Sequence, residues 1–101
     1  MGITKVSKDV QLTGSIVADR FEGSTTVTRT YATDHTGLEI CNDGDASLTF
    51  TLDSLAGRTF TVLAGDVIDN QYPPFKVVTI TTAVAYRATV LGGTAEGGVS
   101  S

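Results

Sequence analysis

Residues 24–33 read STTVTRTYAT, and the spacing within them decides the fold class. Thr26, Thr28 and Thr30 alternate with Val27, Arg29 and Tyr31. A period of two sends successive side chains to opposite faces of a strand. β-branched threonine suits the half-wet face of such a strand, and it disfavours a helix, where its χ1 is restricted. The pattern recurs further along. In SLTFTLD, Thr49 and Thr51 interleave with Leu48, Phe50 and Leu52. In RTFTVL, Thr59 and Thr61 flank Phe60; in VVTITT, Thr79 and Thr81 flank Ile80. No stretch carries an i, i+3, i+4 apolar stripe. The chain therefore reads as all-β, built from antiparallel sheets wet on one side.

Turn signals divide these runs: NDGD at 42–45, SLAG at 54–57, AGD at 64–66 and the weaker TAVA at 82–85. Asp-Gly favours a hairpin because glycine takes positive φ without steric cost. Strands are expected over 11–19, 25–33, 38–41, 48–52, 59–63, 76–81 and 86–91. About seven short strands with regular turns imply a single antiparallel β-sandwich, Ig-like or a small jelly-roll. Residues 1–91 form the expected domain, and GGTAEGGVSS at 92–101 is expected as a flexible tail.

The composition narrows the function. The 101 residues are 41% hydrophobic and 18% charged, which suits one globular domain. A chain of this size buries roughly 65% of its unfolded surface, enough for a modest core without metal or disulfide. The net charge of −4 argues against nucleic acid or an anionic membrane as partner, because phosphate binding needs clustered Lys and Arg. Cys41 is the only cysteine and closes no intrachain disulfide. Met1 leads into GITKVSKDVQLTGS, which lacks an apolar signal region, so synthesis in the cytoplasm is expected.

No catalytic constellation emerges. His35 stands alone beside Asp34 in ATDHTG and is expected as a solvated turn residue. A hydrolase would need a nucleophile and base within hydrogen-bond reach. Cys41 faces away from Leu38 and Ile40 on its strand and is expected to pack as a small hydrophobe. Asn42, Asp43 and Asp45 admit a calcium reading, which Asp66, Asp69 and Asn70 could complete from another loop; a plain hairpin turn explains them as well. No cofactor or metal is expected.

The remaining signals concern contact surfaces. Arg29 lies between Val27 and Tyr31 on one strand face. An arginine there is costly in a core unless paired. It suits an interface with Tyr31, or it snorkels at a sheet edge. In NQYPPF, Pro73 and Pro74 lack the N–H that a central strand needs. Two readings stay open: a rigid crossing between sheets with Phe75 plugging the core, or an exposed ridge of Tyr72 and the prolines that docks on a partner. The candidate interface residues are Arg29, Tyr31, Tyr72 and Phe75.

The stretch LEICNDGDASLTFTLDSLAGRTFTVLAGDVIDNQYPPFKVVTITTAVAYRATVLGG at 38–93 resembles small β-sandwich virion structural proteins of tailed bacteriophages and prophages. The likeness runs through an asparagine turn in EICNDG, a Thr/Phe strand in LTFTL, the glycine-acid turn of FTVLAGDVI, and an aromatic loop into VVTITT. A final YRA strand then meets a glycine-rich end. The resemblance implies a non-enzymatic part of the particle: head decoration, fibre, or tail and baseplate accessory. It implies docking on other virion proteins and a homo-oligomer, with a trimer the expected number. Location in the virion, reached by lysis, goes with it. The competing expectation is a carbohydrate- or cell-surface-binding module with Tyr72, Phe75 and Tyr86 as its platform.

Overall fold

The computed structural model describes residues 16–96 and 99–100. The chain is all-β with a sandwich-like arrangement, as the alternation implies. In chain order the strands are β1 (Val17–Gly23), β2 (Val27–Asn42), β3 (Leu48–Leu52), β4 (Phe60–Val62), β5 (Val67–Thr81), β6 (Tyr86–Leu91) and β7 (Val99–Ser100). A 3₁₀ turn, Asp53–Leu55, follows β3. All pairings are antiparallel, in the order β1-β6-β2-β5-β3-β4, with β7 beside β2.

Two of the strands are longer than the sequence pattern implied. The expected runs 25–33 and 38–41 merge into β2, and the expected crossing before residue 76 becomes part of β5. The ladder between β2 and β5 is interrupted twice. Residues 31–34 of β2 face only Lys76 of β5, between the pairs Thr30↔Val77 and His35↔Phe75. Residues 72–74 of β5 then face only Thr36, before Gly37↔Gln71. Excess residues on one strand bend it and raise its twist. The bend divides each strand between two layers. The first half of β2 and the last half of β5 pair with β7 and β3. The last half of β2 continues to β6 and, through it, to β1. Pro73 and Pro74 fall in the unpaired triplet of β5, where a missing N–H breaks no ladder bond.

One apolar cluster fills the space between the layers. Leu48, Phe50 and Leu52 of β3, Val78 and Ile80 of β5, Leu38 and Ile40 of β2, and Ala88 and Val90 of β6 are all buried in it. Burying each of the larger side chains is worth about 1.5–3 kcal/mol. The threonines stand on the other face. Thr79 is opposite both Thr28 and Thr51, and Thr49 is opposite both Thr61 and Thr81. Thr28 and Thr79 join through their hydroxyls at 3.1 Å.

The first expected strand, 11–19, lies mostly outside the described residues; its end is the start of β1. Within 92–101, residues 97, 98 and 101 are likewise outside them. Residues 92–96, read as the start of a flexible tail, hydrogen-bond to the sheet: the amides of Gly92 and Glu96 donate to the carbonyls of Ile16 and Ala18.

Candidate functional site

The four residues proposed from sequence as contact anchors do not share one surface. Arg29 and Tyr31 belong to a polar cluster with Asp19. A register shift at Ala18 leaves both Ala18 and Asp19 buried, where strict alternation would expose one of them. One carboxylate oxygen of Asp19, Oδ2, accepts from Arg29 Nε at 3.1 Å, Arg29 Nη2 at 2.8 Å and the Tyr31 hydroxyl at 2.8 Å. The guanidinium also lies 4.8 Å from the centre of the Phe21 ring. Burial, then the bond to Asp19, holds the Tyr31 phenol above its ordinary range, so it stays a donor. The cost of an arginine near the core is met by this pairing. Tyr31 is buried and Arg29 only partly accessible, so the trio ties β1 to β2 and offers little to a partner.

Tyr72 and Phe75 separate at the bulge. Phe75 is fully buried in the core, as the rigid-crossing reading implied. Tyr72 is half-buried and completes an aromatic group with Phe50 and Phe60, its ring centre 6.1 and 5.6 Å from theirs. Of Tyr72, Pro73, Pro74 and Phe75, the two prolines alone are exposed. The sugar platform is not assembled either, because Phe75 and Tyr86 are both buried.

His35 departs most from expectation. It is fully buried and bridges to the chain beyond β6. Its Nδ1 lies 2.7 Å from the carbonyl oxygen of Gly92, and its Nε2 lies 2.7 Å from Glu96 Oε2. A carbonyl and a carboxylate both accept, so filling both bonds takes a proton on each ring nitrogen. Gly92 and Gly93 make the close return possible. Their φ values are 89° and 73°, and a Cβ on Gly93 would stand 2.8 Å from the Asp34 carbonyl oxygen. Glu96 also accepts from the amides of Ala32 and Thr33 and from the Thr33 hydroxyl.

Those bonds, the Thr33 hydroxyl first and the Ala32 amide next, lower the Glu96 carboxyl from 4.5 to about 2. A depressed carboxyl stabilises the fold above its ordinary value and loses that contribution as pH falls through the depressed one. The fastening is therefore expected to hold at pH 4.5 and to weaken toward pH 2. The amide proton resonance of Ala32 should titrate with a midpoint near pH 2, and Glu96→Gln should abolish that titration. A midpoint in the ordinary carboxyl range would show that Glu96 is not held there.

The acidic turn is likewise occupied by protein groups. Arg87 donates from Nε and Nη2 to the two oxygens of Asp43, at 2.7 and 2.9 Å. That bond holds the Asp43 carboxyl below its ordinary range. Asn42, weighed as a calcium ligand, is buried and turned to the backbone: Nδ2 donates to the carbonyls of Ala46 and Val62, and Oδ1 accepts from the Gly44 amide. Among the described residues no group of three His, Cys, Asp or Glu side chains is placed to hold a metal.

Two surface features remain. A shallow groove of about 490 Å³ crosses the outer face of β1, β6 and β2, lined by Arg20, Glu22, Glu39, Cys41, Arg87 and Thr89. Its charges alternate in sign, and it holds neither histidine nor serine to act as base or nucleophile. Cys41 is half-buried there, directly opposite Arg87, and outside the apolar core. The second feature is the edge of β5. Its last residues are covered by β3 through the pairs Leu52↔Val78 to Thr49↔Thr81. Its middle is covered by the 3₁₀ turn: Asp53 accepts from the amides of Lys76 and Val77, and the Ser54 hydroxyl donates to the Pro73 carbonyl. Among the described residues nothing pairs with the outer edge of residues 67–72. Val67, at its start, is 58% exposed.

The sequence did not mark Asp19, Asn42 or Glu96 as organising residues. Their partners are reached only through the fold, and the one local signal was the Arg29–Tyr31 pair in want of a counter-charge. Compared with known protein families, curated proteins and solved structures, the chain matches none.

Proposed function

We propose that this protein is a non-enzymatic structural component of a phage or prophage particle: a head decoration, fibre, or tail and baseplate accessory. It is made in the host cytoplasm and acts by self-association and docking on other virion proteins. The observation that carries the reading is the edge of β5 at residues 67–72, with which nothing pairs among the described residues. A free edge is a template for another chain, and monomeric sandwiches ordinarily cover or charge it. The buried polar side chains support the same view. Asp19, His35 and Asn42 each hold chain segments together, which leaves architecture as their work. The resemblance of residues 38–93 to small virion sandwiches supplies the particle. Mass spectrometry of particles purified from lysates of the producing strain tests this. The chain should be present in many copies per particle, at constant ratio to the major capsid or tail protein; its absence from washed particles would sink the reading.

A further inference from the structure

We propose that residues 67–72 of β5 pair antiparallel with the same residues of a second copy, about a two-fold axis through Asn70. The inference rests on the self-association reading above and supplies its surface. The window left unpaired among the described residues is bounded on both sides. It begins at the turn where the Asp66 amide donates to Leu63, and it ends at Pro73 and Pro74, which cannot extend a ladder. Within it Asp69 is the only charged residue. Of the two terminal strands among the described residues, β1 carries Arg20 and Glu22, both exposed, and β4 is three residues long with its Val62 carbonyl already taken by Asn42. Edge charges of that kind discourage pairing.

Strand geometry then selects the register. Directly opposed residues of an antiparallel pair share a face of the sheet. Ile68 and Asn70 lie opposite Ile40 and Leu38, whose side chains are buried, so residues 68, 70 and 72 belong to the inner face. Two-fold pairing must therefore be centred on a residue. Centring on Asp69 would set two carboxylates against each other, which is unfavourable. Centring on Gln71 would draw Pro73 into the ladder opposite Asp69. Centring on Asn70 sets Asn70 against Asn70, Asp69 against Gln71 and Ile68 against Tyr72. No like charges meet, and no proline enters the paired segment 68–72. On the inner face the half-buried Ile68 and Tyr72 of the two copies meet and extend the apolar layer across the axis. Isologous pairing of this kind closes as a dimer, in place of the trimer expected from the resemblance.

Cross-linking reads the register directly. Opposed Cα atoms in an antiparallel pair lie about 4.5–5.5 Å apart, within disulfide range. In a Cys41→Ser background, Asn70→Cys should oxidise to a covalent dimer. Asp69→Cys should not, because two Asp69 residues are offset along the strands to about 8 Å, beyond that range. Asn70 is exposed, so under reducing conditions the Asn70→Cys protein should keep the fold and the melting temperature. Sedimentation of the unsubstituted protein should show a dimer, weakened about fivefold by Asn70→Lys. A monomer at high micromolar concentration would overturn the pairing, as would a trimer, or a dimer in which Asn70→Cys links no better than Asp69→Cys. Cross-linking at Asn70 by a chain absent from purified particles would instead retain the pairing and reject the particle role.

Discussion

Replacing Asn42 by alanine is expected to lower folding stability by about 3 kcal/mol, a large share of the total for a domain this size. The side chain is 2% exposed and makes three hydrogen bonds, to the Ala46 and Val62 carbonyls and from the Gly44 amide. Each bond contributes about 1 kcal/mol net, and a buried partner left unpaired costs about 1–3 kcal/mol more. The Val62 carbonyl is the costly one, because its bond is buried. Main-chain bonds add to the same node: Asn42 donates to the Asp66 carbonyl and accepts from the Gly65 amide. One residue thus fixes the turn after β2, the end of β4 and the turn before β5. Asn42→Asp should be no milder, since a carboxylate cannot donate to two carbonyls. Urea denaturation measures the loss. A change below about 1 kcal/mol would show that water replaces these bonds and that the node is not structural.

The parts of this fold legible in the sequence are those governed by one strand at a time. Residues Leu48–Leu52 and Tyr86–Leu91 alternate cleanly because each is buried on one face along its whole length, and their limits were read correctly. The long strands β2 and β5 were not legible as such. Their alternation breaks at 31–36 and 72–76, which resembles a strand end and is a paired bend. The prolines marked the right position and the wrong event: they exclude a ladder locally, and the strand runs on past them. His35 misled for a related reason. Its acceptors are on Gly92 and Glu96, and nothing near ATDHTG announces them. Aromatic and arginine residues are the sequence's only signal for contact anchors. The fold spends Tyr31 and Phe75 on its own core and, among the described residues, leaves a main-chain edge of β5 unpaired, a feature with no residue signature beyond missing charge.

The cluster at Asp19 allows the sharpest separation of fold from assembly. Asp19→Ala is expected to destabilise the domain by about 2–3 kcal/mol. Removing one member of a buried pair costs about 3–5 kcal/mol when the survivor is fully enclosed. Here the Arg29 side chain keeps 17% of its exposure and the Asp19 side chain 6%, so the survivor recovers some hydration and the value falls below that range. Tyr31→Phe removes one of the three bonds to Oδ2 and should cost about 1 kcal/mol. Arg29→Ala should lower stability too, since it leaves the Asp19 carboxylate with the Tyr31 hydroxyl alone among the bonds at Oδ2. Contact anchors behave differently: their removal weakens association and spares the melt. The double variant decides between the two. If the cluster acts as a unit, the Asp19→Ala and Arg29→Ala losses together should fall short of additivity by about 1–2 kcal/mol. Salt should leave that coupling nearly unchanged, because a pair so enclosed is weakly screened, whereas the exposed Arg87–Asp43 pair should lose what little it contributes. Strict additivity in urea melts would show that the bonds at Oδ2 carry no coupling and that the ladder with β6 holds β1 without them.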